Sequence, residues 1–118
     1  MSLKPPKATS GLMLSWWDQE KTRVFQIEVG ETILSRRLDS HEVNGTKLLN
    51  IARLTRGRRD SILKNEPGRR VVKSGPMHLK GVWIGLARAR VLADEFSVSE
   101  AVAQVLDEAP QIHLTPAE

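Results

Sequence analysis

Basic side chains are concentrated in one stretch of the sequence, residues 47–80. This stretch holds ten Lys and Arg residues and only two acidic residues, Asp60 and Glu66, which gives it a net charge of +8. The whole chain of 118 residues carries a formal net charge of +4, so the residues outside the stretch sum to −4. Guanidinium and ammonium groups bind phosphate through charge-assisted hydrogen bonds. Charge polarised in this way predicts a polyanionic partner such as nucleic acid, although a solvated basic face without a partner would show the same count.

Three arginines in this stretch occupy a position that is unfavourable for a helix. Arg56, Arg58 and Arg59 follow Thr55, which is a typical N-cap residue. Cations in the first turn of a helix oppose its dipole, at a cost of roughly 0.3–1 kcal/mol each. A sequence that breaks a local rule repeatedly favours a functional reason. Arginines at the start of a helix in the major groove can reach guanine O6 and N7, so we predict a recognition helix here.

The residue types needed for catalysis or metal binding are sparse. His41, His78 and His113 lack metal-ligand spacing, and the sequence has no cysteine, no Gly-rich phosphate loop and no nucleophile elbow. We therefore predict no catalytic residues, no metal and no cofactor. Absence of cysteine favours a reducing compartment, and no apolar run approaches the ~18 residues that span a bilayer.

Alternating apolar residues and turn signals predict strands on both sides of two helices. The helix at 46–54 follows Asn44 and Gly45, and the helix at 56–65 ends before Pro67 and Gly68. The tight connection between these two helices predicts a helix-turn-helix unit. The strands are predicted at 12–17, 24–29, 32–37, 69–73 and 81–84.

The last two strands predict a wing, a β-hairpin whose turn begins at Ser74-Gly75-Pro76. Trp83 on its return strand is predicted to lie in the core. Trp16 and Trp17 are neighbours on a strand, so one is expected to be buried and the other exposed. Further helices are predicted at 86–96 and after Ser97, which forms a capping-box pattern with Glu100.

These elements predict one α+β domain, a small antiparallel sheet with helices in a winged helix-turn-helix arrangement. We predict a flexible lead-in at 1–11, the domain at 12–109 and a tail at 110–118. Lead-in and tail are polar and contain proline.

Four sequence motifs show a specific resemblance to a known family. They are Ser35-Arg36-Arg37, Val43 to Asn50 (VNGTKLLN), Thr55 to Asp60 (TRGRRD) and Gly75 to Ile84 (GPMHLKGVWI). In order and spacing, from about residue 17 to 94, they resemble the APSES domain of fungal transcription regulators, its StuA-like branch in particular. The resemblance implies a fold related to the KilA-N domain, location in the nucleus, and binding to double-stranded DNA at short CG-containing elements.

The resemblance also implies which residues lie near DNA. It places Lys47 and Asn50 on the first helix, three arginines at the start of the second helix, and Lys73, His78 and Lys80 on the wing. Together with two further basic residues of the stretch, the predicted DNA-binding residues are Lys47, Asn50, Arg53, Arg56, Arg58, Arg59, Lys64, Lys73, His78 and Lys80.

Some positions depart from the usual APSES pattern. Ser61 and Gly85 stand where glycine and proline are usual, and Ser74 replaces an apolar residue. Residues 65–68 (NEPG) also differ from the charged stretch that is usual there. These departures affect helix ends and the base of the wing, so the resemblance predicts the fold more firmly than the preferred DNA sequence.

Two other functions fit the same pattern less well. A protein-interaction module on a KilA-N-like fold, one that anchors chromosomes or telomeres, would not need the arginines at 56–59. RNA binding usually requires exposed aromatic residues on which bases stack, and the sequence predicts no such platform. Double-stranded DNA is therefore the predicted partner, and protein partners would bind through regions outside this chain.

Overall fold

A computed structural model describes residues 5–114 of the chain. These residues form six β-strands, four α-helices and three short 3-10 turns. The strands are β1 (Met13–Trp17), β2 (Thr22–Val29), β3 (Thr32–Arg37), β4 (Val43–Asn44), β5 (Arg70–Val72) and β6 (Gly81–Ile84). The helices are α1 (Gly45–Ile51), α2 (Arg56–Leu63), α3 (Leu86–Glu95) and α4 (Ser99–Leu106), and the 3-10 turns are Asp18–Glu20, Met77–Leu79 and Pro110–His113.

All six strands belong to one antiparallel sheet in the order β1-β2-β3-β4-β6-β5. The predicted α+β class and the wing formed by β5 and β6 are confirmed. Strand β4 was not predicted, because only two residues form it and no period can be read from so short a segment. It pairs with β3 through Val43 and with β6 through Val43 and Asn44, and so joins the wing to the rest of the sheet.

Helices α1 and α4 pack on the sheet and α3 packs against both of them, which buries the main hydrophobic core. Leu34 from β3, Leu48 and Leu49 from α1 and Val102 from α4 are fully buried there. The predicted capping box at Ser97 is wrong. Ser97 adopts a left-handed backbone (φ 59°), and α4 begins at Ser99 with Val98 as its N-cap and no side-chain capping bond.

A second, smaller cluster fixes the base of the wing. Trp17 of β1 and Trp83 of β6 stack with ring centroids 5.1 Å apart, and Leu79 packs beside them. Arg37 lies over the Trp17 ring at 5.4 Å and donates to Asp39 and Glu20. The predictions for the tryptophans are confirmed, since Trp17 and Trp83 are buried and Trp16 is 56% exposed.

Hydrogen bonds join parts of both end segments to the sheet. The Thr9 N–H donates to the Glu28 carbonyl at 2.7 Å, and Leu12 forms a parallel bridge with Leu114. Residues 1–4 and 115–118 of the predicted lead-in and tail lie outside the described residues, and the predicted domain limits stay a prediction. Within residues 5–114, no helix has the length and hydropathy needed to cross a membrane.

Candidate nucleic-acid interface

Helices α1 and α2 are each capped by the residue that the sequence predicts. The Asn44 side chain accepts a hydrogen bond from the Lys47 N–H at 3.3 Å, and the Thr55 hydroxyl accepts one from the Arg58 N–H at 3.3 Å. Such bonds satisfy amides that have no partner within the helix. Between the helices the chain turns sharply at Arg53, which has a left-handed backbone (φ 63°). The predicted helix-turn-helix connection is therefore present.

Helix α2 is anchored at its far end and exposed at its start. Leu63 is buried and Ile62 is half-buried, and both contribute to the main core. Arg56 and Arg58 in the first turn are exposed, and this turn contains no acidic residue. The arginine-rich end therefore projects from the domain, as the sequence predicts.

The three arginines of this first turn have different surroundings. Across residues 5–114, none of them makes an ion pair with a carboxylate. The Arg58 guanidinium lies 5.3 Å from the centroid of the Phe96 ring, a cation–π contact that leaves its charge unpaired. Arg59 Nη1 donates to Asn50 Oδ1 at 2.9 Å and to the Leu54 carbonyl at 3.1 Å.

Other basic residues of the stretch 47–80 are engaged in the fold itself. Arg70 pairs with Glu42 at 2.7 Å, and Arg69 donates to the Lys64 carbonyl at the end of α2. Glu66 is buried, and both of its carboxylate oxygens lie 3.0 Å from Arg88 Nε and share its single N–H. Arg88 lies outside residues 47–80, so this contact lets a residue from elsewhere neutralise one of the two acidic residues of that stretch. Sequence reasoning missed the pair, since its partners are 22 residues apart.

The wing is fixed to the start of α1 by the Asn44 side chain. Asn44 Nδ2 donates to the Lys80 carbonyl at 2.9 Å and to the His78 carbonyl at 3.3 Å. The Thr46 hydroxyl accepts a bond from the Val82 N–H at 2.9 Å. The wing and the first helix therefore form one unit, and a shift of either would move the other.

Three predicted residues meet in a shallow groove between α1 and the wing. Lys47, Asn50 and His78 line it together with Met77 and Glu31. Burial, and then the nearby charge of Lys47, lower the pKa of His78. The groove thus offers a cation, an amide and a largely neutral imidazole to a ligand.

The remaining predicted residues do not line this groove. Arg53 is exposed in the turn between the helices and lines a second cleft with Asn50 and with Lys7, a basic residue outside the predicted set. Lys64 follows α2, at the opposite end from the arginines, and Lys73 follows β5. We call the ten predicted residues the basic surface; they are Lys47, Asn50, Arg53, Arg56, Arg58, Arg59, Lys64, Lys73, His78 and Lys80.

Comparison with known proteins identifies the family. The chain is 48% identical over 98 residues to the cell pattern formation-associated protein stuA of Aspergillus fumigatus, covering 83% of this chain and 15% of that protein. It is 49% identical over 96 residues to StuA of Phaeosphaeria nodorum, covering 81% of this chain and 15% of the relative. The chain is a StuA-like APSES domain.

The predicted resemblance is confirmed by these relatives. A third one, STU1 of Pyricularia oryzae, is 48% identical over 98 residues, which are 83% of this chain and 16% of STU1. The APSES chain therefore spans about 15% of the length of the relatives that it matches. These relatives are named for cell pattern formation and not for an enzymatic activity, in agreement with the prediction of a non-enzyme. No protein-family model matches the chain.

Two solved structures share the APSES fold. A structure of a DNA complex of PCG2 matches with a TM-score of 0.72 and 21% identity, covering 92% of this chain and all of that one (100%). MBP1 from Saccharomyces cerevisiae matches with a TM-score of 0.71 and 23% identity, covering 80% of this chain and 97% of that chain. At these identities the likeness concerns the fold.

Proposed function

We propose that this APSES domain is the DNA-recognition domain of a nuclear transcription regulator and binds double-stranded DNA. One observation carries the proposal: the first turn of α2 projects Arg56 and Arg58 into solvent, and within residues 5–114 no carboxylate pairs with them. The dipole of α2 opposes these cations, so intrahelical electrostatics do not explain their position. An anionic ligand bound at this turn would explain their position.

Duplex DNA supplies the groups that this surface can bind. Free amides at the start of α2 and the cationic side chains around it favour phosphate oxygens. The guanidinium groups of Arg56 and Arg58 match the O6 and N7 acceptors of guanine, which every CG step presents in the major groove. We therefore assign the reading of short CG-containing elements to α2 and the wing.

Different residues of the basic surface are candidates for contacts with different parts of the DNA. Arg56 and Arg58 are the candidates for base contacts because they lie at the projecting tip of α2. The side chains of Lys47, Arg53, Lys64, Lys73 and Lys80 make no hydrogen bond or ion pair within residues 5–114, and are candidates for phosphate contacts. The PCG2 structure, a DNA complex with the same fold, supports DNA as the class of ligand.

One observation favours a second function, a protein-interaction module. Edge strand β1 exposes Met13, Leu14 and Trp16, and exposed apolar side chains beside an unpaired strand edge are typical of protein contacts. If charge reversal at Arg56 and Arg58 left the full-length protein on chromosomes, this second function would be favoured over DNA recognition.

Selection of bound sequences from random duplexes by the isolated domain tests the proposed function. The expected result is enrichment of one short motif that contains a CG step. Recovery of duplexes without any shared motif would contradict sequence-specific binding. The spacing of half-sites would also show whether two domains bind together.

The proposed function predicts an unusual pH dependence for binding. The lowered pKa of His78 leaves the imidazole largely neutral near pH 7. A phosphate beside His78 would favour the protonated ring, so binding would take up a proton. Affinity for duplex should therefore rise several-fold as pH falls from about 7.5 to about 5.5, and His78→Gln should remove this dependence.

The stability of the free domain should respond to pH with the opposite sign. Because the pKa of His78 in the folded domain lies below its unfolded value of about 6.5, protonation favours the unfolded chain. This contribution to stability is present above the unfolded pKa and is lost as pH falls toward the folded pKa. Fluorescence anisotropy and thermal unfolding of the wild type and His78→Gln measure both effects. Affinity that stays constant or falls at low pH in the wild type would contradict a phosphate near His78.

A further inference from the structure

Arg59 differs from its two neighbours in how its side chain is held. Arg56 and Arg58 are exposed, whereas Arg59 is partly buried and its Nε is inaccessible to solvent. Its Nη1 bridges the two helices, with Asn50 Oδ1 of α1 at 2.9 Å and the Leu54 carbonyl at 3.1 Å. A guanidinium that already donates to two acceptors is less available to a phosphate than a free one.

This contact fixes the orientation of the Asn50 carboxamide. Arginine has donors but no acceptor, so the atom of Asn50 that faces Arg59 must be the oxygen. The Nδ2 donors of Asn50 then point away from Arg59. Asn50 is exposed and lines the groove with Lys47 and His78. The bridge therefore leaves the N–H donors of Asn50 free for a ligand beside α1, where Asn50 lines both this groove and the cleft at Arg53.

We propose that Arg59 is a positioning residue, which sets the Asn50 amide so that Nδ2 donates to an acceptor on the DNA, and does not itself neutralise a phosphate. This inference rests on the proposed function. It gives α1, and not only α2, a part in recognition. It also assigns Arg59 a role different from that of Arg56, although both arginines lie in the same helical turn.

A double-mutant cycle with a matched control tests this role. Duplex affinity is measured over a series of salt concentrations for the wild type, Arg59→Ala, Asn50→Ala and the double variant. Arg59→Ala and Asn50→Ala should weaken binding by a similar factor, and the double variant should be no weaker than either. The salt slope of Arg59→Ala should equal that of the wild type.

Lys73→Ala serves as the control, because Lys73 is exposed, its side chain makes no hydrogen bond or ion pair within residues 5–114, and it is a candidate for a phosphate contact. Its loss should lower the salt slope by about 0.9, the value for one phosphate, and should add to the effect of Asn50→Ala. Arg59→Lys supplies a second variant. It keeps the charge but not the rigid guanidinium fork, so it should bind as weakly as Arg59→Ala.

Three results would overturn the inference while the wild type still binds duplex. They are a lowered salt slope in Arg59→Ala, restored affinity in Arg59→Lys, and further weakening by Arg59→Ala when Asn50 is already alanine. The last result would mean that Arg59 acts through general stability. A wild-type domain that binds no duplex would instead refute the proposed function itself, and the inference with it.

Discussion

Replacing Arg56 and Arg58 together by glutamate is expected to abolish specific DNA binding without unfolding the domain. Each arginine that contacts a base contributes about 1–3 kcal/mol, so the pair should cost roughly 2–6 kcal/mol, a loss between about 30-fold and more than 10,000-fold. Glutamate would also repel the phosphates. Fluorescence anisotropy with a CG-containing duplex measures the loss.

The same substitution should not lower the free energy of unfolding. Glutamate in the first turn of α2 is favoured by the helix dipole by roughly 0.3–1 kcal/mol, whereas arginine there is disfavoured by a similar amount. The gain should offset loss of the Arg58 contact with Phe96, which is worth about 0.5–1 kcal/mol at an exposed site. The variant should therefore lose affinity for DNA while it keeps its free energy of unfolding. A folding defect would lower both.

An identical charge change elsewhere provides the control. Lys21 and Arg23 are exposed at the β1–β2 hairpin, outside the basic surface. Lys21→Glu with Arg23→Glu should weaken binding only slightly, through the net charge of the domain. Equal losses for both double variants would mean that total charge, and not the tip of α2, determines affinity.

Gly81→Ala is expected to give the largest loss of stability from a single added methyl group. Gly81 has φ +143°, a conformation that other residues rarely adopt. An added Cβ would lie 2.5 Å from Asn44 Oδ1 and 2.9 Å from the Thr46 hydroxyl. These atoms cap α1 and bind the wing, so backbone strain of about 1–3 kcal/mol and loss of a cap worth about 1 kcal/mol should combine to roughly 2–4 kcal/mol.

Gly57→Ala is the matched control for this prediction. Gly57 is a helical glycine of α2, and an added Cβ there would have no neighbour within 4 Å. Alanine should therefore stabilise the domain, by up to about 1 kcal/mol. Urea unfolding of both variants measures the difference. A Gly81→Ala domain as stable as the wild type would show that the wing and α1 are not held together as closely as described.

The parts of the fold that the sequence predicted correctly depend on local signals. Asn44 and Thr55 are polar cap residues, and a capping bond joins residues only three positions apart. The wing was predictable for the same reason, since only residues 73–80, with the turn signal Ser74-Gly75-Pro76, separate β5 from β6. Exposure of the first turn of α2 followed from its lack of apolar side chains.

Contacts between distant residues were not predictable in this way. Arg36 belongs to the motif Ser35-Arg36-Arg37. It is buried and donates to the Val105 and Asp107 carbonyls, so this arginine stabilises the fold at the end of α4. Burial lowers the pKa of Arg36, with a further effect from Arg90. Nothing in its neighbours along the sequence distinguishes it from a surface arginine.

The division of roles within the basic surface also required the structure. Charge counting treats the ten basic residues of 47–80 as equivalent. The structure separates Arg70, which pairs with Glu42, and Arg59, which binds Asn50, from Arg56 and its exposed neighbours. Such distinctions depend on which carboxylate or amide lies within a few ångströms.

The most direct test of the central claim is the salt dependence of duplex binding by the wild-type domain. Seven basic side chains of the basic surface make neither a hydrogen bond nor an ion pair within residues 5–114; they are Lys47, Arg53, Arg56, Arg58, Lys64, Lys73 and Lys80. If the five of them outside the tip of α2 contact phosphates, log affinity should fall linearly with log salt with a slope of about 4–5, at roughly 0.9 per phosphate. Affinity that did not change with salt, or no binding at low salt, would contradict the claim that this surface binds DNA.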